Sequence, residues 1–202
     1  ESNETTHFSV IDQWGNAVTN TYTLNFSYGS GIMVPGTGIL LNNEMDDFSA
    51  KPGAPNAYGL LGGRRNAIEP GKRMLSSMTP TLLFRGDNHL VATGSPGGSR
   101  IITTVLQIVC NLVDHGMDIS AATAATRFHH QWFPDEVQVE PGLDPGTVAS
   151  LRTRSHTVKT RSLMGSTQSV SRINGRFYGA SDPRRQGALT IGLHEPGKKT
   201  RP

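Results

Sequence analysis

Residues 6–24 read THFSVID, then Gln13-Trp14-Gly15-Asn16, then AVTNTYTL. The two outer segments, 6–12 and 17–24, alternate and are rich in Thr, Val, Ile, Phe and Tyr, which favour a pleated, half-buried surface. The Gly-Asn pair between them supplies the positive-φ residues that a tight hairpin turn requires. The chain therefore opens on a β-hairpin, with the adjacent Thr5 and Thr6 at its entrance.

Further along, PTLLFRGDNHLVATG at 80–94 reads as a second hairpin turning at Gly86-Asp87-Asn88, and a glycine-rich corner, Gly94-Ser95-Pro96-Gly97-Gly98-Ser99, follows. A helix is predicted from Arg100 to His115. Ile101, Val105, Ile108 and Leu112 recur at helical spacing, as do Ile102, Leu106, Val109 and Val113, and two adjacent apolar stripes predict a broadly buried helix closed by Gly116. A second helix is expected over 120–127 and a third over 144–154, introduced by Asp144-Pro145. Strands return at 156–160, 167–173 and 176–181, the last two joined by Asn174-Gly175. Residues 26–38 and 49–73 are turn-rich and aperiodic. A loop as long as the second is uncommon without a function of its own. Strands, then helices, then strands make a layered α+β fold.

The 202 residues suffice for one domain with a real core. Hydrophobic residues at 35% and charged residues at 17% describe a globular chain, and 23 glycines with 12 prolines describe one with many turns. The net charge of +3 owes much to a basic end carrying Lys198, Lys199 and Arg201. No basic helix or aromatic-basic interleaving accompanies it, so nucleic acid is not an expected partner. Cys110 is the only cysteine, so no disulfide forms within the chain. No stretch approaches the roughly 20 apolar residues of a membrane span. The chain begins at Glu1 without Met or an apolar signal core, and reads as a piece of a longer precursor.

Several clusters carry chemistry. A threonine hydroxyl becomes a nucleophile when a base takes its proton, and an N-terminal threonine can use its own α-amino group, of pKa about 8. Thr5 would qualify once Glu4 is removed. The corner at 94–100 leaves backbone N–H groups uncovered at a helix start. It is a plain tight turn, a phosphate cradle or an oxyanion cradle, although its spacing departs from the phosphate-loop pattern. Glu44, Asp46 and Asp47 behind Asn42 and Asn43 are a solvated turn, or a cluster that suits an ammonium group or a metal, although their spacing does not suit calcium. Ser76 and Ser77 offer hydroxyls to a carboxylate. His129 and His130 point in different directions on any regular element and lack a third ligand, so packing is favoured over zinc.

Taken in order, these segments resemble the γ-glutamyltransferase (γ-glutamyl transpeptidase) family of N-terminal nucleophile (Ntn) hydrolases. The resemblance is carried by TTHFSV at 5–10, NAVTNTYTLN at 16–25, GILLNNEMDDFS at 38–49, KPGAPNAYGL at 51–60 and LSSMTPT at 75–81. GSPGGSRIITTVLQ at 94–107, RFHHQWFPDE at 127–136, MGSTQS at 164–169 and YGASDPR at 178–184 complete it. It implies an Ntn-hydrolase αββα sandwich, of which residues 5–185 are the small-subunit part. Residues 1–4 would be a remnant before the cleavage site and 186–202 a basic tail.

It also implies roles: Thr5 as the nucleophile freed by self-cleavage after Glu4, Thr23 as its hydroxyl partner, and Gly97 and Gly98 as the oxyanion hole. Asn25, Glu44 and Asp47 would hold the α-amino end of a γ-glutamyl group, Ser76 and Ser77 its α-carboxylate, and Tyr58 would gate a lid loop. The implied reaction cleaves the γ-glutamyl amide of glutathione and related compounds through an ester on Thr5. The acyl group then passes to water or to an amino acid or dipeptide amine, with no metal or organic cofactor. The expected partner is the large subunit of the same precursor, and the expected location is the periplasm or outside the cell. Alternatives are an Ntn acylase for glutaryl or poly-γ-glutamate substrates, and an inactive unprocessed fragment.

Overall fold

The computed structural model describes residues 5–193; Glu4 and the basic end with Lys198, Lys199 and Arg201 lie outside them. Strands β1 (Thr6–Ile11) and β2 (Ala17–Tyr22) form the expected hairpin, with Thr6 opposite Tyr22 and Ile11 opposite Ala17. Its turn is pinned by Asp12, whose carboxylate accepts from the Trp14 and Asn16 amides.

Strands β3 (Thr81–Phe84) and β4 (His89–Thr93) form the second hairpin, and the chain then enters helix α1 (Ile101–Val113) through a short 3₁₀ turn. Helix α2 (Ile119–Ala124) starts on Asp118, whose side chain accepts from the Ala121 amide. Two short strands that the sequence did not announce follow, β5 (Phe128–His129) and β6 (Val137–Val139). Helix α3 (Pro145–Thr153) is capped by Asp144 with Pro145 in its first turn. Strands β7 (Val158–Thr160), β8 (Gln168–Ile173) and β9 (Arg176–Ser181) end the described fold.

An antiparallel sheet of order β3-β4-β8-β9 is the centre, and a smaller sheet pairs β5 antiparallel and β7 parallel to β6. β4 is buried on both faces: Leu90, Val91, Ala92 and Thr93 are all buried, the last two completely. The β1–β2 hairpin lies against one face. There Ser9 Oγ donates to the Gln168 carbonyl, at 2.9 Å, and Thr19 Oγ1 to the Thr93 carbonyl, at 2.9 Å. α2 packs on β8 and β9, and α1 on α2. A hairpin layer, a sheet and a helical layer thus give the α+β sandwich.

Two features depart from simple patterning. Only one of the two apolar stripes of α1 is buried, through Ile101, Val105 and Ile108; Ile102, Leu106 and Val113 are 50–63% exposed. The broadly buried helix is therefore corrected to a helix with one covered face, because α2 and β5 reach only that side. The hairpin is also inverted relative to the usual rule. Its hydroxyl-rich face, with His7 and Thr21, points into the protein, whereas Phe8, Val10, Val18 and Tyr22 are half exposed on the other face.

Candidate active site

Strand periodicity places His7 and Ser9 on one face of β1 with Thr21 and Thr19 opposite them, and Thr5, just before the strand, meets Thr23, just after β2, at the same end of the hairpin. Thr5 is buried and its hydroxyl donates to Thr23 Oγ1 at 3.0 Å. Thr23 Oγ1 also accepts from the Asn25 amide at 2.9 Å. Asn25 sits at φ 74°, a left-handed conformation that asparagine tolerates better than most side chains.

The His7 ring bridges the hairpin to the glycine corner. Its Nδ1 lies 2.8 Å from Thr21 Oγ1, and its Nε2 lies 3.0 Å from Ser9 Oγ and 3.2 Å from Thr19 Oγ1. Burial pulls its pKa down to about 4, so the ring is neutral above that pH. Gly94 rests directly on this ring: a Cβ at position 94 would stand 2.2 Å from His7 Cε1. The strand bearing Thr5 and the corner bearing Gly97 and Gly98 are thereby locked together.

Both corner glycines have positive φ, 138° at Gly97 and 55° at Gly98, and a Cβ at 98 would meet the Tyr58 ring at 2.8 Å. Among the described residues neither the Gly97 nor the Gly98 N–H donates to a carbonyl. The Tyr58 hydroxyl, at the other end of the ring that covers Gly98, donates to Asn25 Oδ1 at 2.9 Å and lies 3.2 Å from the Asn25 carbonyl. A continuous path therefore runs Thr5, Thr23, Asn25, Tyr58, Gly98.

The acidic cluster hangs from the same segment. Asn43 N donates to the Leu24 carbonyl, and its side chain and carbonyl accept from Phe26 N and Asn25 Nδ2. Glu44–Asp47 then form one 3₁₀ turn. Burial, followed by the hydrogen bond and charge of Asp47, pushes Glu44 up to about 7, and burial also raises Asp47. Glu44 Oε1 and Asp46 Oδ2 are buried with no hydrogen-bond partner among the described residues.

Ser76 and Ser77 join Asp46 and Asp47 in lining a cavity of about 580 Å³, which Ser99, Thr103, His129 and Gln131 also line. Ser76 is exposed, and its hydroxyl already accepts from Met78 N at 3.2 Å. Thr5, Gly97 and Gly98 do not line this cavity. The nominated residues thus fall into two linked groups: Thr5, Thr23, Asn25, Tyr58 and Gly98 around the hydroxyl, and Glu44, Asp47, Ser76 and Ser77 around the acidic turn. Glu4 lies outside the described residues.

His129, the last residue of β5, and His130, just beyond it, do diverge. His129 is buried against Thr103 Oγ1 at 2.7 Å, and exposed His130 meets Asp135 at 3.0 Å.

Sequence reasoning gave no role to a buried ionic cluster beneath the corner. Arg127 donates to Asp182 Oδ2 at 2.6 Å and to the Met164 carbonyl at 2.6 Å, and Arg184 pairs with Glu140 and Asp182. The segment so held, Met164–Thr167, supports the corner: Ser166 N donates to Ser95 Oγ at 2.9 Å, and a Cβ at Gly97 would lie 3.5 Å from Gly165 Cα. The only signal was that RFHHQWFPDE, MGSTQS and YGASDPR all carry the family resemblance; their mutual pairing is not local in sequence.

Residues 1–192 match the family model described as Gamma-glutamyltranspeptidase. The chain is 56% identical over 193 residues to the "Glutathione hydrolase proenzyme" of Escherichia coli (strain K12), covering 95% of this chain and 33% of that protein. Among solved structures it resembles a mutant gamma-glutamyltranspeptidase of Helicobacter pylori, with 50% identity, a TM-score of 0.84, and coverage of 89% of this chain and all of that one. It also resembles the Pseudomonas nitroreducens gamma-glutamyltranspeptidase complexed with L-DON, with 45% identity, a TM-score of 0.85, and coverage of 93% of this chain and all of that one. The chain spans about a third of the length of the curated relatives it matches.

Proposed function

The chain belongs to the gamma-glutamyltranspeptidase family, and from that premise we propose that it is the catalytic part of a γ-glutamyl hydrolase/transferase acting on glutathione and similar γ-glutamyl amides. The observation that carries this reading is the buried Thr5 hydroxyl donating to Thr23 at 3.0 Å, on the strand locked to the diglycine corner.

Cleavage between Glu4 and Thr5 frees the Thr5 amine. That amine takes the proton of the Thr5 hydroxyl as Oγ1 attacks the γ-carbonyl of the substrate. The carbonyl oxygen becomes an oxyanion facing the Gly97 and Gly98 amides. Collapse breaks the C–N bond, the proton passes to the leaving amine, and a γ-glutamyl ester remains on Thr5. Water, or the amine of an amino acid or dipeptide, then attacks the ester and restores the hydroxyl. Glu44 and Asp47, with Asn25, receive the substrate ammonium, and Ser76 and Ser77 its carboxylate.

The unpaired carboxylates favour a head group with a free ammonium over a glutaryl group, which has none. Comparing turnover of a γ-glutamyl anilide with that of a glutaryl anilide separates the two, and faster glutaryl cleavage overturns the present reading.

The rest of the precursor, as a large subunit, would cover half-exposed apolar side chains such as Phe8, Val10, Val18 and Tyr22 on the outer face of the hairpin layer, or the separate outer stripe of α1 on the helical layer. Export to the periplasm or beyond belongs to the same proposal, and cell fractionation tests it.

Thr5→Ala in the full precursor is expected to abolish both self-cleavage and anilide turnover, read by intact mass and by absorbance. Full-rate cleavage in that variant would move the nucleophile, with Thr6 the first suspect.

A further inference from the structure

Gln131 stands where three parts of the molecule meet. Its Nε2 donates to the Tyr58 carbonyl at 3.1 Å and to the Phe133 carbonyl at 3.1 Å. Its Oε1 accepts from Ser99 Oγ at 2.8 Å and lies 2.9 Å from His129 Nε2. Two donors and two acceptor positions are the whole capacity of a primary amide, and all four are used. The orientation follows: turned by 180°, the amide would set its oxygen against two carbonyls. His129 is buried and braced on its other nitrogen by Thr103 Oγ1 at 2.7 Å, so the oxygen side of Gln131 is held on the core.

The nitrogen side faces the lid. The Gly59 backbone comes so near that a Cβ there would lie 3.5 Å from Gln131 Nε2. The lid is thus pinned twice. Its Tyr58 hydroxyl is held by Asn25 and its ring covers Gly98, while its backbone is held by the amide that also binds Ser99, the residue after the glycine pair.

We propose that Gln131, braced by His129, is a positioning residue that latches the Tyr58 lid onto the Gly97-Gly98 corner and so couples lid closure to the geometry of the oxyanion amides. The inference rests on the γ-glutamyl transfer reading for its kinetic consequence, and on hydrogen-bond geometry alone for the latch. Glutamine is needed here because it both donates to the lid and accepts from the corner; a glutamate of the same shape can only accept.

The test uses the processed, assembled enzyme. Gln131→Glu keeps the contacts to Ser99 and His129 but turns a carboxylate oxygen toward two carbonyls, and Gln131→Met, without charge, carries the same test if the first variant does not assemble. Loss of a hydrogen bond of ordinary net strength shifts the lid equilibrium by roughly three- to tenfold. Chymotryptic nicking after Tyr58 is expected to rise by that factor. The kcat for a γ-glutamyl anilide is expected to fall by a similar factor, while the Ki of L-glutamate, which reads the head-group contacts, stays within about twofold. A nicking rate and kcat equal to the wild type overturn the latch, as does a parallel loss of kcat and of L-glutamate binding. Nicking is readable without turnover, so an assembled wild type that cleaves no γ-glutamyl anilide would overturn the functional reading and leave the latch to be judged on nicking alone.

Discussion

Two groups of acidic side chains among the described residues, one buried around Glu140 and Asp182 and one partly buried around Glu44 and Asp47, are treated in opposite ways. Around Glu140 and Asp182 every carboxylate oxygen is matched. Glu140 accepts from the amides of Arg127 and Met164 and from Arg184, and Asp182 accepts from Arg127, Thr167 and Arg184. Burial works to raise both groups, and the Arg184 and Arg127 guanidiniums with the backbone donors override it, leaving both below the ordinary carboxylate range. Around Glu44 and Asp47 burial acts without opposition from any guanidinium, and the neighbouring charge adds to it. The first arrangement is complete and holds the chain together; the second, in the function proposed above, is completed by the substrate ammonium. Pairing with guanidiniums, and deeper burial, distinguish the first group from the second, which we propose for recognition.

The largest effect should come from breaking the complete group. Arg127→Met leaves Asp182 buried and without its closest cation, which costs about 3–5 kcal/mol when one partner of a buried pair is lost. Urea unfolding of the assembled protein measures this, and a loss under about 1 kcal/mol would mean that Arg184 alone suffices. In the incomplete group the same kind of change should act on binding. Asp47→Asn removes half of the proposed ammonium receptor, and the Ki of L-glutamate is expected to rise about 100-fold, within the range for a desolvated charge pair that loses one partner. The urea midpoint should hold or rise, since a like charge beside Glu44 is gone. A fall in stability with no change in Ki would place Asp47 among the structural acids.

The contrast between the two groups also marks what could be read from the sequence. The hairpin of β1 and β2 was legible because alternation and a Gly15-Asn16 turn are local signals, and so were α1 and the Asn174-Gly175 turn. β5 and β6 were not, since two- and three-residue strands carry too little periodicity and Pro134 interrupts the segment between them. Alternation also could not say that the hydroxyl face of β1 turns inward, because that depends on the sheet beneath it and on what covers Phe8 and Val10. In the site, Thr23 follows from register once Thr5 is chosen, but the choice of Thr5 came from family resemblance. The ion cluster stayed hidden because Arg127 and Asp182 are 55 positions apart and meet only in the fold. Gln131 was likewise an ordinary polar residue until its four partners were seen together.

The smallest effect, and the finest test of the contrast, is in pH. Glu44 holds its proton up to about 7 in the folded chain, whereas an unfolded glutamate releases it near pH 4.3. Between those values the folded state binds more protons, so this group lowers stability as pH rises through the window and adds no slope above it. Glu136 has the opposite sign. Held by Lys159 and Arg161, its pKa is lowered to about 2, so its contribution is present above the unfolded value and is lost as pH falls toward 2. An incoming ammonium needs Glu44 ionised. The Ki of L-glutamate should therefore fall by up to roughly tenfold per pH unit on the acid side of 7 and level off above it. Glu44→Gln should erase that bend while weakening binding at every pH, and should also flatten the stability slope between about pH 5 and 7. If the bend survives in Glu44→Gln, the titrating group lies elsewhere, and the acidic turn loses its claim to be the ammonium receptor.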